Sequence, residues 1–290
     1  MTSSAANAES RVAEVREKYG KIAQGRVEGC CGPSPTPCGG GSADAVSQSL
    51  GYSKTEIDGL ADANLGLGCG APIDHLKLQP GEHVLDLGSG AGIDVFLAAK
   101  RVGPDGRVIG VDMTPEMLHK ARANAAKLGF SQVEFREGRL ERLPVVDASI
   151  DAATSNCVIN LVPDKAAVFR EVARVLKPGG RLVISDIVLD GELPPAIEKD
   201  VYAYVGCISG AMQRPAYFAA LDAAGLRDVE VLKDIDYLGT MLDAAPDEVR
   251  ELLARTGVSQ DQVRGKVRSL TFRASKRETA QGCCGPTCCA

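Results

Sequence analysis

Apolar positions recur in two rhythms along this chain, and the change between them marks out its architecture. In RVAEVREKYGKIA, residues 11–23, Val12, Val15, Tyr19 and Ile22 recur at the spacing of one helix face. The next stretch, GCCGPSPTPCGGGS (29–42), is too rich in Gly, Pro, Ser and Cys to keep either period and reads as a loop. Residues 43–82 read as short helices and connections ending in LQPGE.

From residue 83 short apolar runs alternate with amphipathic stretches, which predicts an α/β fold: a mostly parallel, doubly wound sheet with helices on both faces. The expected strands are HVLDLG (83–88), RVIGVD (107–112), QVEFREG (132–138), IDAATSN (150–156) and RLVISDIV (181–188). Between them lie helices GIDVFLAAKRV and TPEMLHKARANAAKLG, the second with Thr114 as N-cap, Pro115 in its first turn and Gly129 as stop. DKAAVFREVARVLKPGG reads as a further helix ended by its Gly pair. Beyond residue 190 the rhythm loosens into a smaller C-terminal region. It is expected to hold helices PPAIEKDVYAYVGCISGAM, RPAYFAALDAAG and APDEVRELLARTG and late strands VEVLKDIDYL and VRSLTFRASK. The tail from Glu278 to Ala290 has no periodicity and is expected to be mobile.

Composition narrows the possible partners. A chain of 290 residues, 44% hydrophobic, can bury one full-sized core plus an appended region. Its net charge of −5 comes with scattered basic residues, so no nucleic acid or membrane partner is expected. No apolar run approaches the roughly 20 residues a bilayer requires, and MTSSAANAES lacks the basic and apolar regions of a leader. The expected location is the cytoplasm. There, ten cysteines are more readily explained by soft-ion binding or catalysis than by structural disulfides. With His75, His83 and His119 as the only histidines, a mixed Cys/His zinc site has little support.

Chemistry concentrates first at DLGSGAG, residues 86–92, where the first strand turns into a helix. Glycines there let backbone N–H groups approach a ligand that a Cβ would push away. Asp112 ends the second strand about 20 residues on, where a carboxylate can accept both hydroxyls of a ribose. These two features alone suit NAD, a flavin or S-adenosylmethionine equally. REGRLERLP followed by DASID, KPGGRL before the fifth strand, and Asp86 opening the glycine turn together resemble the class I S-adenosylmethionine methyltransferases over roughly residues 83–190. The resemblance implies S-adenosylmethionine as cofactor, with Asp86, Gly88, Ser89 and Gly90 around the methionine moiety. It further implies Asp112 and Met113 at the ribose and adenine, Arg139 and Leu140 at the adenine edge, and Asn156 beside the cofactor.

No acid/base candidate of the kind that oxygen or nitrogen methylation uses stands near the strand ends. Cys157 stands there instead, in SNCVINL at the end of the fourth strand, facing the transferred methyl in this fold. Asn156 and Asn160 beside it can bond the cofactor or fix the loop. LGLGCGAP (66–72), SNCVINLVPDK (155–165) and YVGCISGA (204–211), with the early Cys-rich loop, resemble the arsenite methyltransferases. That resemblance implies Cys69, Cys157 and Cys207 as arsenic ligands and a fourth catalytic cysteine among Cys30, Cys31 and Cys38, with Cys31 favoured. It implies arsenite and methylarsenite as substrates, in arsenic detoxification. Soft trivalent arsenic prefers thiolates, and three sulfurs leave its lone pair free to attack a sulfonium methyl without a general base. A pair such as Cys31 and Cys69 could then return two electrons, with thioredoxin or glutathione resetting the disulfide.

The tail thiols Cys283, Cys284, Cys288 and Cys289 form two vicinal pairs that can chelate a soft ion unaided, an auxiliary arsenic-capture site or a Cys-only zinc site. The implied organisation is a helical, Cys-rich region (1–70), a Rossmann-like cofactor domain (71–190), a substrate-binding region completing the sheet (191–277) and the tail (278–290), acting as a monomer. Two other readings stay open at this point: methylation of a small organic acceptor such as a quinone or sterol, and a catalytically silent, thiol-rich metalloid binder.

Overall fold

The computed structural model describes residues 2–26, 43–200, 207, 208, 210–244 and 246–278. The early Cys-rich loop with Cys30, Cys31 and Cys38, and the tail with Cys283, Cys284, Cys288 and Cys289, lie outside the described residues.

Five strands carry the parallel core: β1 (His83–Leu87), β2 (Arg107–Asp112), β3 (Val133–Glu137), β4 (Ile150–Asn156) and β5 (Leu176–Leu189). They assemble in the order β3-β2-β1-β4-β5. Beyond them β8 (Val267–Lys276) runs antiparallel to β5, and β7 (Leu226–Asp236) pairs antiparallel with β8. The short β6 (Met212–Gln213) pairs with the far end of β5. Strands buried on both faces need apolar residues at successive positions, as Val84, Leu85 and Leu87 of β1 show. Leu85 and Leu87 pack with Phe169, Tyr217 and Phe272, whereas Val84 packs with Val95, Phe96 and Leu97 on the opposite face.

The helices that supply those faces are α1 (Thr2–Ala23), α2 (Ala43–Leu50), α3 (Lys54–Ile57), α4 (Ile93–Val102), α5 (Pro115–Leu128), α6 (Lys165–Val175), α7 (Pro195–Glu198), α8 (Arg214–Ala223), α9 (Tyr237–Ala244), α10 (Pro246–Thr256) and α11 (Gln260–Val263). Among the described residues, no helix is long and apolar enough to cross a membrane.

Two expectations need correction. The helix before β5 ends at Val175 rather than at the Gly pair; Leu176 already pairs with Ile150, and KPGG lies within the strand. Pro178 explains this, since the residue before a proline is driven out of the helical region. The long helix expected over 194–212 is described only as α7. Cys207 has φ +65°, which no right-handed helix admits, and Met212 is in a strand. Thr114 does occupy the N-cap of α5, but its side chain makes no cap bond; it hydrogen-bonds Asp112 instead.

Candidate functional site

A cleft opens at the carboxyl ends of the parallel strands. Its floor is the turn between β1 and α4, where Gly88, Gly90 and Gly92 take φ values of +73°, +50° and +100°. A Cβ on Gly88 would lie 2.5 Å from both methyls of Val158, while one on Gly90 would meet nothing within 4 Å. The turn is therefore tight on its inner side and open toward the cleft. Asp112 locks it in place: one carboxylate oxygen accepts the Gly90 N–H at 2.9 Å and the other the Thr114 N–H at 2.8 Å.

Asp86, Gly88, Ser89 and Gly90 line this cleft, as do Asp112, Met113, Arg139, Leu140 and Asn156. Two of them also make contacts that the sequence does not announce. Arg139 gives its guanidinium to Glu141 at 2.8 Å and to Glu9 of α1 at 2.7 Å, tying that helix across the cleft mouth. Asn156 bonds the segment that carries Cys69 and, through Nδ2, also Tyr52 and Asp94 of the cleft lining.

The cleft is electrostatically biased. Burial holds the Asp86 carboxyl well above the usual carboxylate range, and the charges of Asp94 and Asp112 add to the effect. Asp94 is raised to about 6 by burial, against hydrogen bonds from Tyr52 and Asn156 that pull it down. Asp112 is raised by burial, partly offset by its backbone bonds. Three buried carboxyls around one cleft favour a ligand that brings positive charge. Ser89 Oγ is also buried and has no hydrogen-bond partner among the described residues, a polar atom left to a ligand. Sequence reasoning missed Tyr52, Asp94 and the Val12, Val15 and Tyr19 stripe of α1, all of which line the cleft. The stripe was visible as helix periodicity, but nothing local said what it covers.

Cys157 forms the inner wall of the cleft, and there the second half of the site begins. Cys69, Cys157 and Cys207 are all buried and members of one apolar cluster with Leu161, Ile187 and Leu189. The Cys157 N–H donates to Ser185 O at 2.8 Å, and Cys207 Sγ lies 2.9 Å from Cys157 O. Cys157 and Cys207 both hold left-handed backbone, φ +58° and +65°. Such strain in a residue other than glycine persists only where surroundings enforce it, and it gathers at functional sites.

The thiols of Cys69 and Cys207 each hydrogen-bond that of Cys157. The bond to Cys207 pulls the Cys157 thiol down, but the bond to Cys69, burial and nearby charge outweigh it and hold it well above the usual thiol range. Burial likewise raises Cys69. These are neutral, neighbouring thiols rather than a preformed metal cage: among the described residues, no group of three or more His, Cys, Asp or Glu is disposed to hold a metal ion. Beneath them lies Asp186, raised to about 7 by burial, its oxygens accepting from Asn160 at 2.9 Å and Tyr217 at 3.0 Å. Of the two roles open to Asn160, fixing the loop is the one its bonds serve.

Residues 78–257 match the methyltransferase domain family. The chain is similar to an arsenite methyltransferase of Halobacterium salinarum, 48% identical over 225 residues, covering 75% of this chain and 57% of the relative. An arsenic(III) S-adenosylmethionine methyltransferase of Chlamydomonas reinhardtii, known by crystal structure, superposes with a TM-score of 0.58 at 30% identity, over 86% of this chain and 76% of that one. The chain belongs to the arsenite methyltransferase family. A further arsenite methyltransferase, from Aquipseudomonas alcaligenes, is 36% identical over 76% of this chain and 63% of its own length. This family member thus spans less than two thirds of the length of the two curated relatives. Its sheet has the mostly parallel order of class I methyltransferases, with the antiparallel β8 and β7 at one end.

Proposed function

We propose that this chain transfers methyl groups from S-adenosylmethionine to trivalent arsenic held by Cys69, Cys157 and Cys207. The observation that carries the reading is the placement of Cys157, which lines the cofactor cleft and is hydrogen-bonded to both other buried thiols.

The cleft suits the cofactor. Asp86 and Asp94 face a ligand carrying an ammonium and a sulfonium, Gly90 leaves room for it, and Asp112 ends β2 where a ribose would lie. S-adenosylmethionine, when bound, supplies an electrophilic methyl on a positively charged sulfur. What the chain adds is position and a dry setting. Three thiols displace the three hydroxyls of arsenous acid as three waters, each thiol proton leaving with a hydroxyl, so the uptake needs no external base. The neutral state in which burial holds Cys69 and Cys157 fits this exchange. The arsenic lone pair, free in a three-sulfur pyramid, would take the methyl as the sulfonium carbon–sulfur bond breaks and S-adenosylhomocysteine leaves.

Methylation takes arsenic formally from the trivalent to the pentavalent state, and two electrons must return it. A dithiol of Cys31 and Cys69 supplies them on becoming a disulfide, and thioredoxin or glutathione restores the thiols. The tail cysteines capture arsenic ahead of the buried site. Incubated with arsenite, a thiol reductant and S-adenosylmethionine, the full chain is expected to yield methylated arsenic and S-adenosylhomocysteine, and a Cys157→Ser chain neither. A Cys157→Ser chain that still methylates arsenic, or arsenic binding with no cofactor consumed, would overturn the reading.

A further inference from the structure

Both ends of the Asn156 carboxamide are engaged by other groups of the protein. Its Oδ1 accepts the Cys69 N–H at 2.9 Å. Its Nδ2 donates to Gly70 O and to Tyr52 Oη, each at 2.8 Å, with Asp94 Oδ2 at 3.2 Å. Two amide protons serve these three acceptors, so Tyr52 and Asp94 share one of them. Tyr52 donates its own proton to Asp94 Oδ1 at 2.8 Å, which fixes the orientation of the amide.

The other side of Cys69 is held as firmly. Ser269 Oγ, on β8, donates to Cys69 O at 2.8 Å. The flanking glycines leave no slack: a Cβ on Gly68 would lie 2.7 Å from Asn156 Nδ2, and one on Gly70 2.5 Å from Ser185 Oγ. Cys69 reaches the site on a loop, whereas Cys157 and Cys207 are joined directly, Sγ to carbonyl. Asn156 immediately precedes Cys157 in the chain, so one residue at the end of β4 carries the backbone of the distant thiol against its own neighbour.

From this we infer that Asn156 is the positioning residue of Cys69, setting the third thiol against the Cys157–Cys207 pair, with Ser269 as its counterpart. Tyr52 and Asp94 orient the amide. The inference rests on the arsenic reading above and gives Asn156, which lines the cofactor cleft, a role toward the thiol half of the site as well.

The test uses the full-length chain in which the other seven of its ten cysteines are serine, so that only the buried thiols bind. Arsenite offers arsenic three exchangeable positions and phenylarsine oxide two, and near-ultraviolet arsenic–thiolate absorption reports both. Asn156→Ala is expected to raise the arsenite dissociation constant at least about tenfold and that of phenylarsine oxide by less than about twofold, because the Cys157–Cys207 pair is intact. In the Ser269→Ala chain, whose replaced side chain does not line the cofactor cleft, S-adenosylhomocysteine affinity is expected to change by less than about twofold. Ser269→Ala, outside the cleft lining, is expected to give the same selective loss at about threefold, and it carries the test should Asn156→Ala fail to fold. Equal loss for both arsenicals, or lost S-adenosylhomocysteine affinity with arsenite binding unchanged, would overturn the role of Asn156. A parent chain that binds no arsenite would instead overturn the arsenic reading itself.

Discussion

The two halves of the site are built in opposite ways. The cofactor turn is one contiguous piece, residues 86–92, whose shape lies in backbone angles and in the lack of Cβ atoms at Gly88 and Gly92. The thiol pocket is gathered from positions 69, 157 and 207 and held by side-chain hydrogen bonds across the sheet end. A contiguous site fails when bulk is added to it. A gathered site fails when a polar tether is removed, even where the tether touches no ligand.

The largest expected effect on this contrast is that of Cys157→Ser. Methyl transfer to arsenic should fall by more than about a hundredfold in kcat/KM while S-adenosylhomocysteine affinity moves by less than about twofold, because an oxygen is a poor donor to soft arsenic. Comparable losses in both would mean the halves are not separable. Gly88→Ala should do the reverse. Its Cβ would enter the Val158 side chain at a φ of +73°, so cofactor affinity is expected to fall at least about tenfold and stability by about 1–3 kcal/mol. Arsenite binding without cofactor should survive, as calorimetry of the two ligands would show.

Acidity offers a subtler probe. Asp186 beneath the thiols and Asp94 beside the cofactor turn are raised by burial from 3.8 to about 7 and about 6. The folded chain therefore keeps protons that the unfolded chain has lost between pH 3.8 and about 7, so these groups favour folding at the acid end. Their contribution to stability should decline as pH rises through that window. Asp186→Asn is expected to flatten the pH dependence of the melting temperature above about pH 5. An unchanged slope would contradict the buried state of that carboxyl. The smallest effect expected is that of Glu9→Gln, which removes one ion pair between α1 and Arg139. Both partners are substantially exposed, at 68% and 40%, so less than about 1 kcal/mol and at most a threefold, salt-sensitive rise in KM for S-adenosylmethionine should follow.

The same contrast explains what could be read ahead of the structure. β1 to β4 were legible because each is a short apolar run closed by a turn, and Asp112 was legible because its role depends on chain distance from the glycines. Cys69, Cys157 and Cys207 were recognisable by resemblance, yet their hydrogen-bonded grouping depends on the order of β1, β4 and β5 in space. The true partners of Asn156 were invisible, since Cys69 and Gly70 lie 87 and 86 residues away. No local pattern announces the salt bridge of Arg139 to a helix 130 residues earlier. The helix before β5 was drawn too long because KPGG was read for its glycines, when Pro178 acts first.

Arsenic X-ray absorption on the full-length chain with only Cys69, Cys157 and Cys207 retained, loaded with one equivalent of arsenite, tests the central claim most directly. Three sulfur ligands and no oxygen are expected, falling to two sulfurs and one oxygen in Cys69→Ser. An oxygen-only shell, or a three-sulfur shell that persists without Cys69, would contradict the assignment of these buried thiols as the arsenic site.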